Sequence, residues 1–207
     1  MVAPEKITLL IDADIVAYKF SAAAEKKFDW GESGISVVID DDYDPFAAAV
    51  AYIEEIKEKL GADDFIICLT DPDHNWRKDV LPTYKANRKG VPKPIKLTAV
   101  KDYLATNFKS FIRPSLEADD VMGILSTSPS IIEGKKIIVS IDKDLEQIPG
   151  YLFNPDKDEV ARLRVHPHTV RFHFYQTLIG DPVDGYTGCP RIGKVKGNAI
   201  LDAAEDI

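Results

Sequence analysis

Residues 7–14 read ITLLIDAD. A short β-branched, apolar run without alternation is the pattern of a strand buried on both faces, and here it stops at Asp12. Two further runs repeat it. FIICLT (65–70) is followed by Asp71, and KKIIVSI (135–141) by Asp142 and Asp144. Helical patterns lie between them: 14–27, with Ile15, Tyr18 and Ala22 on one face; a stretch opened by Asp44 and Pro45 as N-cap and first helical residue, running to about Leu60 with Gly61 as its stop; 96–107; and 117–127. ISVVI (35–39) predicts another strand, KSFIR (109–113) a short one, and 151–165 a hairpin. A last long helix is expected over 167–180, and a short one over 197–205 after a Gly/Pro-rich turn region. Strands alternating with helices predict an α/β fold, a central mainly parallel sheet with helices on both faces.

The 207 residues suit one such domain with a small appendage. No apolar run approaches the roughly 20 residues of a membrane helix. The opening MVAPEKITLLIDAD lacks the apolar region of a signal peptide. Cys68 and Cys189, far apart, imply neither a disulfide framework nor a zinc site. These features predict a cytoplasmic protein with no membrane partner.

A net charge of −8 argues at first against nucleic acid, but the charge is sorted along the chain. Between Arg77 and Lys101 stand eight basic residues and one acid, Asp79. LPTYKANRKGVPKP within this stretch has too much Pro and Gly for a regular element and reads as a long basic loop.

The acids are sorted too. In an open parallel sheet the carboxyl ends of the strands share one edge, where ligands bind. Asp12, Asp71, Asp142 and Asp144 therefore converge from three strands. LEADDVMGIL (116–125) opens a helix with Glu117, Asp119 and Asp120, and GDPVD ends one with Asp181 and Asp184. A lone Asp after a strand is ordinarily a turn or cap residue, and EADD alone would serve as well for a helix cap as for a metal. DDDYD (40–44) lacks calcium-loop spacing and reads as a turn ending in an N-cap. The coincidence of acids at every central strand end favours a site. Nine carboxylates on one rim repel one another unless cations are bound. Hard oxygen donors without His or Cys select Mg²⁺, with Mn²⁺ as substitute. Two octahedral ions offer about twelve positions, some filled by water, so several of the nine must act through metal-bound water. Discounting the nine acids from −8 leaves a balance of +1, an almost neutral surface with one basic arm.

The order IDADIVAYK, YKANR, EADD, SIDKDL and GDPVDGYTGCPRIG resembles the flap-endonuclease/5′→3′ exonuclease superfamily of PIN-like nucleases, nearest to the 5′→3′ exonucleases of short-tailed phages. The resemblance runs from about residue 7 to 199. It implies Mg²⁺-dependent hydrolysis of phosphodiester bonds by two ions about 4 Å apart, acting on double-stranded DNA with 5′ ends or flaps, with RNA in RNA–DNA hybrids as a further substrate. Asp12, Asp71, Glu117, Asp119 and Asp120 would build one metal site, and Asp142, Asp144, Asp181 and Asp184 the other. Lys85 and Arg88 match a basic pair that contacts the scissile phosphate. Lys19 matches a basic position on the first helix, and Tyr84 an aromatic that stacks on a terminal base. Lys89 and Lys93 would belong to the basic clamp.

By the same resemblance the chain divides into a nuclease core over 1–165, with an arch or clamp at about 80–101, and a helix-hairpin-helix element over 166–207. In that element Arg191, Gly193, Lys194 and Lys196 would meet duplex phosphates, with K⁺ as a further ion at the turn. Three departures are visible. Arg191 stands where the pattern usually has Gly, predicting an altered turn. The segment 89–116, with Pro92 and Pro94, is too short for a full helical arch. The chain also stops at Ile207, where relatives continue with further helices, so the element is expected to be truncated. Two other readings compete: a nucleic-acid-binding member that cuts poorly, and an Asp-nucleophile phosphatase, for which IDADI offers D-x-D but which leaves YKANR and GCPRIG unexplained.

Overall fold

The computed structural model describes residues 5–204. ITLLID forms strand β1 (Ile7–Asp12), and its unbroken apolar character has a direct spatial cause. β1 lies at the centre of a six-stranded sheet, paired in parallel with β4 (Asp64–Cys68) on one side and β6 (Lys135–Val139) on the other. Beyond β4 lies β5 (Ser110–Phe111), also parallel. Beyond β6 lie β7 (Gly150–Phe153), parallel, and β8 (Arg162–Arg164), antiparallel to β7 as the expected hairpin.

Both faces of β1 are covered. Leu9 and Ile11 point into one core layer with Val16 and Ala17 of α1 (Ala13–Ala23), Ile53 of α2 (Pro45–Lys59), and Val100 and Leu104 of α4 (Leu97–Asn107). Leu10 points the other way, joining Ile66 and Ile138 against Val121, Met122 and Leu125 of α5 (Ala118–Thr127). Each of these buried Leu, Ile, Val and Met side chains contributes about 1.5–3 kcal/mol. The expected start of α2 also holds, with the Asp44 carboxylate accepting from the N–H groups of Phe46 and Ala47.

The sequence reading errs between residues 24 and 39. The first helix stops at Ala23, and Glu25–Asp29 forms β2, antiparallel to β3 (Ile35–Ile39). ISVVI is thus a strand, but in a separate two-stranded ribbon. The Ala-rich end of α1 continues a helical pattern, whereas Gly31 and Gly34, at φ +64° and +92°, supply the left-handed turn that folds the chain back. KSFIR shortens to two strand residues. Just before the basic loop, Trp76–Val80 forms a short helix, α3, in a stretch to which the sequence assigned no element.

The last two helices, α6 (His166–Ile179) and α7 (Lys194–Asp202), pack against each other. α7 begins three residues earlier than expected, and the expected end at 205 lies outside the described residues. Their connection is tight. A Cβ on Gly188, at φ +65°, would stand 2.3 Å from the Gly180 nitrogen. Arg191 takes φ +63°, a left-handed conformation uncommon for a residue other than Gly.

Candidate active site

In the strand order β5-β4-β1-β6-β7, the chain leaves β1 for one side of the sheet and later returns to the other, so the β1/β6 boundary is the switch point where open sheets bind ligands. Asp12 ends β1 there, 3% exposed. One of its oxygens accepts from the Ile15 N–H at 3.3 Å, the other from the Ser140 hydroxyl at 2.7 Å. Burial pushes its carboxyl up to about 7, against the Ser140 bond and with the negative charges of Asp14 and Asp142 adding to the rise. Asp119, on the first turn of α5, is likewise raised well above the ordinary carboxylate range, by desolvation and then by Asp12, Asp142 and Glu117. Asp12 and Asp119 therefore repel each other across the sheet edge, and among the described residues no side-chain cation pairs with either.

A cavity of about 660 Å³ opens beside this edge. Its acidic lining comes from Glu117, Asp119, Asp120, Asp142, Asp144 and Asp184, and its basic and aromatic lining from Trp76, Arg77, Tyr84 and Lys85. Glu117 caps α5. It accepts from Lys85 at 2.9 Å, the Tyr84 hydroxyl at 2.9 Å and the Asn75 amide at 2.7 Å. Burial alone would raise its carboxyl, but Lys85, Tyr84 and Arg77 outweigh it and hold it below the usual range. Burial and the charge of Glu117 in turn push the Tyr84 phenol far up, so it stays a donor. Asp142 accepts from the Asp144 N–H, and Gln176 of α6 donates to Asp144. Asp184 accepts from Arg88 at 2.9 Å, and burial keeps its carboxyl raised. Asp181 is paired with Lys143 and lies below the usual range, because that bond outweighs its burial.

Two expected metal ligands are engaged elsewhere as placed. Asp71 accepts from the Ser115 N–H at 2.7 Å and the Asp73 N–H at 3.0 Å, so it braces the loop after β4 and does not line the cavity. Asp120 lines it but is gripped by Arg77 through two bonds of 2.6 and 2.9 Å. Lys19 lies apart, on a neighbouring cavity of about 530 Å³ that also touches Asp12. Its amine stands 4.3 Å from the Tyr52 ring centre and 3.8 Å from Asp156. Lys89 and Lys93 are exposed in the basic loop, and Arg191, Gly193, Lys194 and Lys196 are exposed around the start of α7. The sequence reading missed Asn75, Trp76 and Arg77 as site residues. Arg77 appears there as one of eight bases, and nothing local separates it from Lys78.

Among the described residues no three acidic, His or Cys side chains stand close enough to enclose an ion as placed. The donor set nonetheless fits a hard divalent cation. The first-turn acids and the strand-end acids are all oxygen donors, and burial disfavours the ionised form of Asp12 and Asp119 in a way that a bound cation would reverse.

The chain belongs to the 5′→3′ exonuclease family: residues 8–163 match the model of the 5′-3′ exonuclease N-terminal, resolvase-like domain. It is 32% identical to an exonuclease of Escherichia phage T7 over 98% of its own length and 66% of the relative's. An exodeoxyribonuclease of Enterobacteria phage T3 is 30% identical over 96% of this chain and 67% of that one. A flap endonuclease Xni of a Shewanella species is 40% identical over 61% of this chain and 52% of its own length. The chain thus spans about two thirds of the phage relatives' length. Among solved structures, a phage T5 5′-exonuclease with bound zinc superposes with a TM-score of 0.71 at 17% identity, covering 95% of this chain and 75% of that one. A T5 flap endonuclease in a pseudo-enzyme–product complex with DNA and metal ions gives 0.69 at 16%, again over 95% and 75%. These two likenesses establish the fold. No helix among the described residues is long and apolar enough to cross a membrane.

Proposed function

We propose that this chain is a Mg²⁺-dependent 5′→3′ exonuclease and flap-type nuclease acting on double-stranded DNA, in phage replication and host DNA degradation within a bacterial cytoplasm. The supporting observation is the gathering of Glu117, Asp119, Asp142, Asp144 and Asp184 around one cavity at the ligand-binding edge of the sheet, with Asp12 buried at the neighbouring strand end. Asp12, Glu117, Asp119 and Asp142 would hold divalent ions directly or through water, with Asp144, Asp181 and Asp184 on the second side and Mn²⁺ an adequate substitute. Bound there, such ions supply charge neutralisation at the phosphate and an acidified attacking water.

The chain's own groups do the rest. Lys85 and Arg88 are paired with Glu117 and Asp184 in this structure, and they sit where a phosphate entering the acid cavity would compete for them. Lys85 stands at φ +52°, in the left-handed region, and its amine reaches Glu117 at 2.9 Å. Tyr84 offers a ring for a terminal base, and Lys19 a cation on the far side of Asp12. Residues 1–165 form the nuclease core in this reading, and 166–207 the duplex-holding element. Arg191, Lys194, Lys196 and the N–H groups after Gly193 would grip backbone phosphates, with K⁺ at the turn and Lys89 and Lys93 tracking the strand.

Product analysis on 5′- and 3′-labelled duplex, flap and RNA–DNA hybrid substrates tests the proposal. Mononucleotides and short pieces released from 5′ ends, with loss of activity in EDTA, are expected. Binding without cutting would make the chain a non-catalytic member, and turnover of para-nitrophenyl phosphate would indicate a phosphatase instead.

A further inference from the structure

We infer that Arg77 is a positioning residue: it removes Asp120 from the ion-holding acids and fixes it as the anchor that sets Glu117, leaving Asp119 alone of the adjacent pair to meet a metal. The inference rests on the nuclease reading above and divides its acid cluster by role.

Asp119 and Asp120 are neighbours on one helical turn, yet their surroundings are opposite. Asp120 receives four donors. Arg77 contributes both guanidinium nitrogens, one to each oxygen, at 2.6 and 2.9 Å. The Glu117 N–H and the Trp76 indole add bonds of 3.0 and 3.3 Å to the same Oδ2. Three of the four donors fall on Oδ2 and one on Oδ1, so a single acceptor site is left over, and a bidentate guanidinium is among the strongest partners a carboxylate can have. Among the described residues Asp119 has no side-chain hydrogen bond or ion pair.

Arg77 is itself held on several sides. Its guanidinium lies 4.8 Å from the Trp76 ring centre and 5.9 Å from that of Tyr84, and its backbone N–H is capped by Asn75 at 2.9 Å. Asn75 donates to Glu117, and the Trp76 N–H donates to the Ser115 carbonyl. Three consecutive residues thus fasten α3 to the first turn of α5. Since α3 leads directly into Tyr84, Lys85 and Arg88, the fork of Arg77 on Asp120 ties the segment meant for phosphate to the acids meant for metal. Lysine cannot reproduce a planar two-point fork.

Two measurements test this. Mn²⁺ binding to the DNA-free protein, followed by calorimetry, should change less than about twofold in Asp120→Asn and fall at least tenfold in Asp119→Asn. Arg77→Ala should lower turnover roughly 10- to 100-fold, as removal of an outer orienting partner does, while Mn²⁺ affinity does not fall, because the substitution frees the Asp120 carboxylate beside Glu117 and Asp119. Arg77→Lys should recover little, and Arg77→Ala/Asp120→Ala should cost no more than either single change. Equal loss of Mn²⁺ affinity in Asp119→Asn and Asp120→Asn would overturn the assignment, as would additive losses in the double variant. Wild-type protein that bound no Mn²⁺ would instead overturn the nuclease reading itself.

Discussion

In EDTA-treated protein at about pH 8, Asp12→Asn is expected to raise the melting temperature. The substitution keeps an oxygen to accept from Ile15 or Ser140 but deletes the charge that burial, Asp14 and Asp142 disfavour. The Asp12 carboxyl is displaced from 3.8 to about 7. At about 1.4 kcal/mol for each tenfold change in proton affinity, this corresponds to roughly 4 kcal/mol held against the native state when Asp12 is ionised. The group is 3% exposed, so solvent screening removes little of it. The folded chain holds this proton more tightly than the unfolded chain, so between about pH 4 and pH 7 it binds more protons. Stability must therefore fall as pH rises through that window and level off above it. In metal-free buffer the wild type should melt lower at pH 8 than at pH 5, and the variant should escape most of that loss. At about 2–4 °C per kcal/mol for a domain of this size, the variant should melt higher by as much as roughly 10 °C. Mg²⁺ should raise the wild-type melting temperature by more than it raises the variant's. Scanning calorimetry at both pH values, with and without Mg²⁺, gives the four comparisons. An Asp12→Asn protein melting at or below wild type in EDTA at pH 8 would refute the electrostatic reasoning.

Three further outcomes are expected. Lys85→Ala should reduce turnover at saturating DNA by about 10²-fold or more while binding measured without Mg²⁺ changes little, if its amine stabilises charge on the transferring phosphate; equal losses would make it a plain binding contact. Gly188→Ala should collapse the α6–α7 turn, since its new Cβ meets the Gly180 nitrogen at 2.3 Å; anisotropy with blunt duplex should then show weakened, less salt-dependent binding. Asp44→Ala removes a cap that satisfies two N–H groups at the start of α2, and should cost about 1 kcal/mol, read as a small drop in melting temperature with unchanged activity.

Much of the fold is legible in single stretches. ITLLID, FIICLT and KKIIVSI are apolar without alternation because each is covered on both faces, and Asp44-Pro45 and Gly61 punctuate α2 by local rules alone. The ribbon at 25–39 was not legible. It has no core to impose a pattern, and Phe28, Trp30, Ile35 and Val38 are exposed on it. Within the site, the positions of Asp12, Glu117, Asp119 and Asp142 followed from strand ends and a helix start, since a parallel sheet sends all those termini to one edge.

Which acid is already engaged was decided by partners distant in the chain. Asp71 and Asp120 look like their neighbours in sequence, but the Ser115 N–H claims one and the Arg77 fork claims the other from 43 residues away. Spacing along the chain determines where a carboxylate emerges from the sheet or helix. Its charge state and the donors that reach it depend on burial and on through-space contacts, and those exist only once the chain has folded.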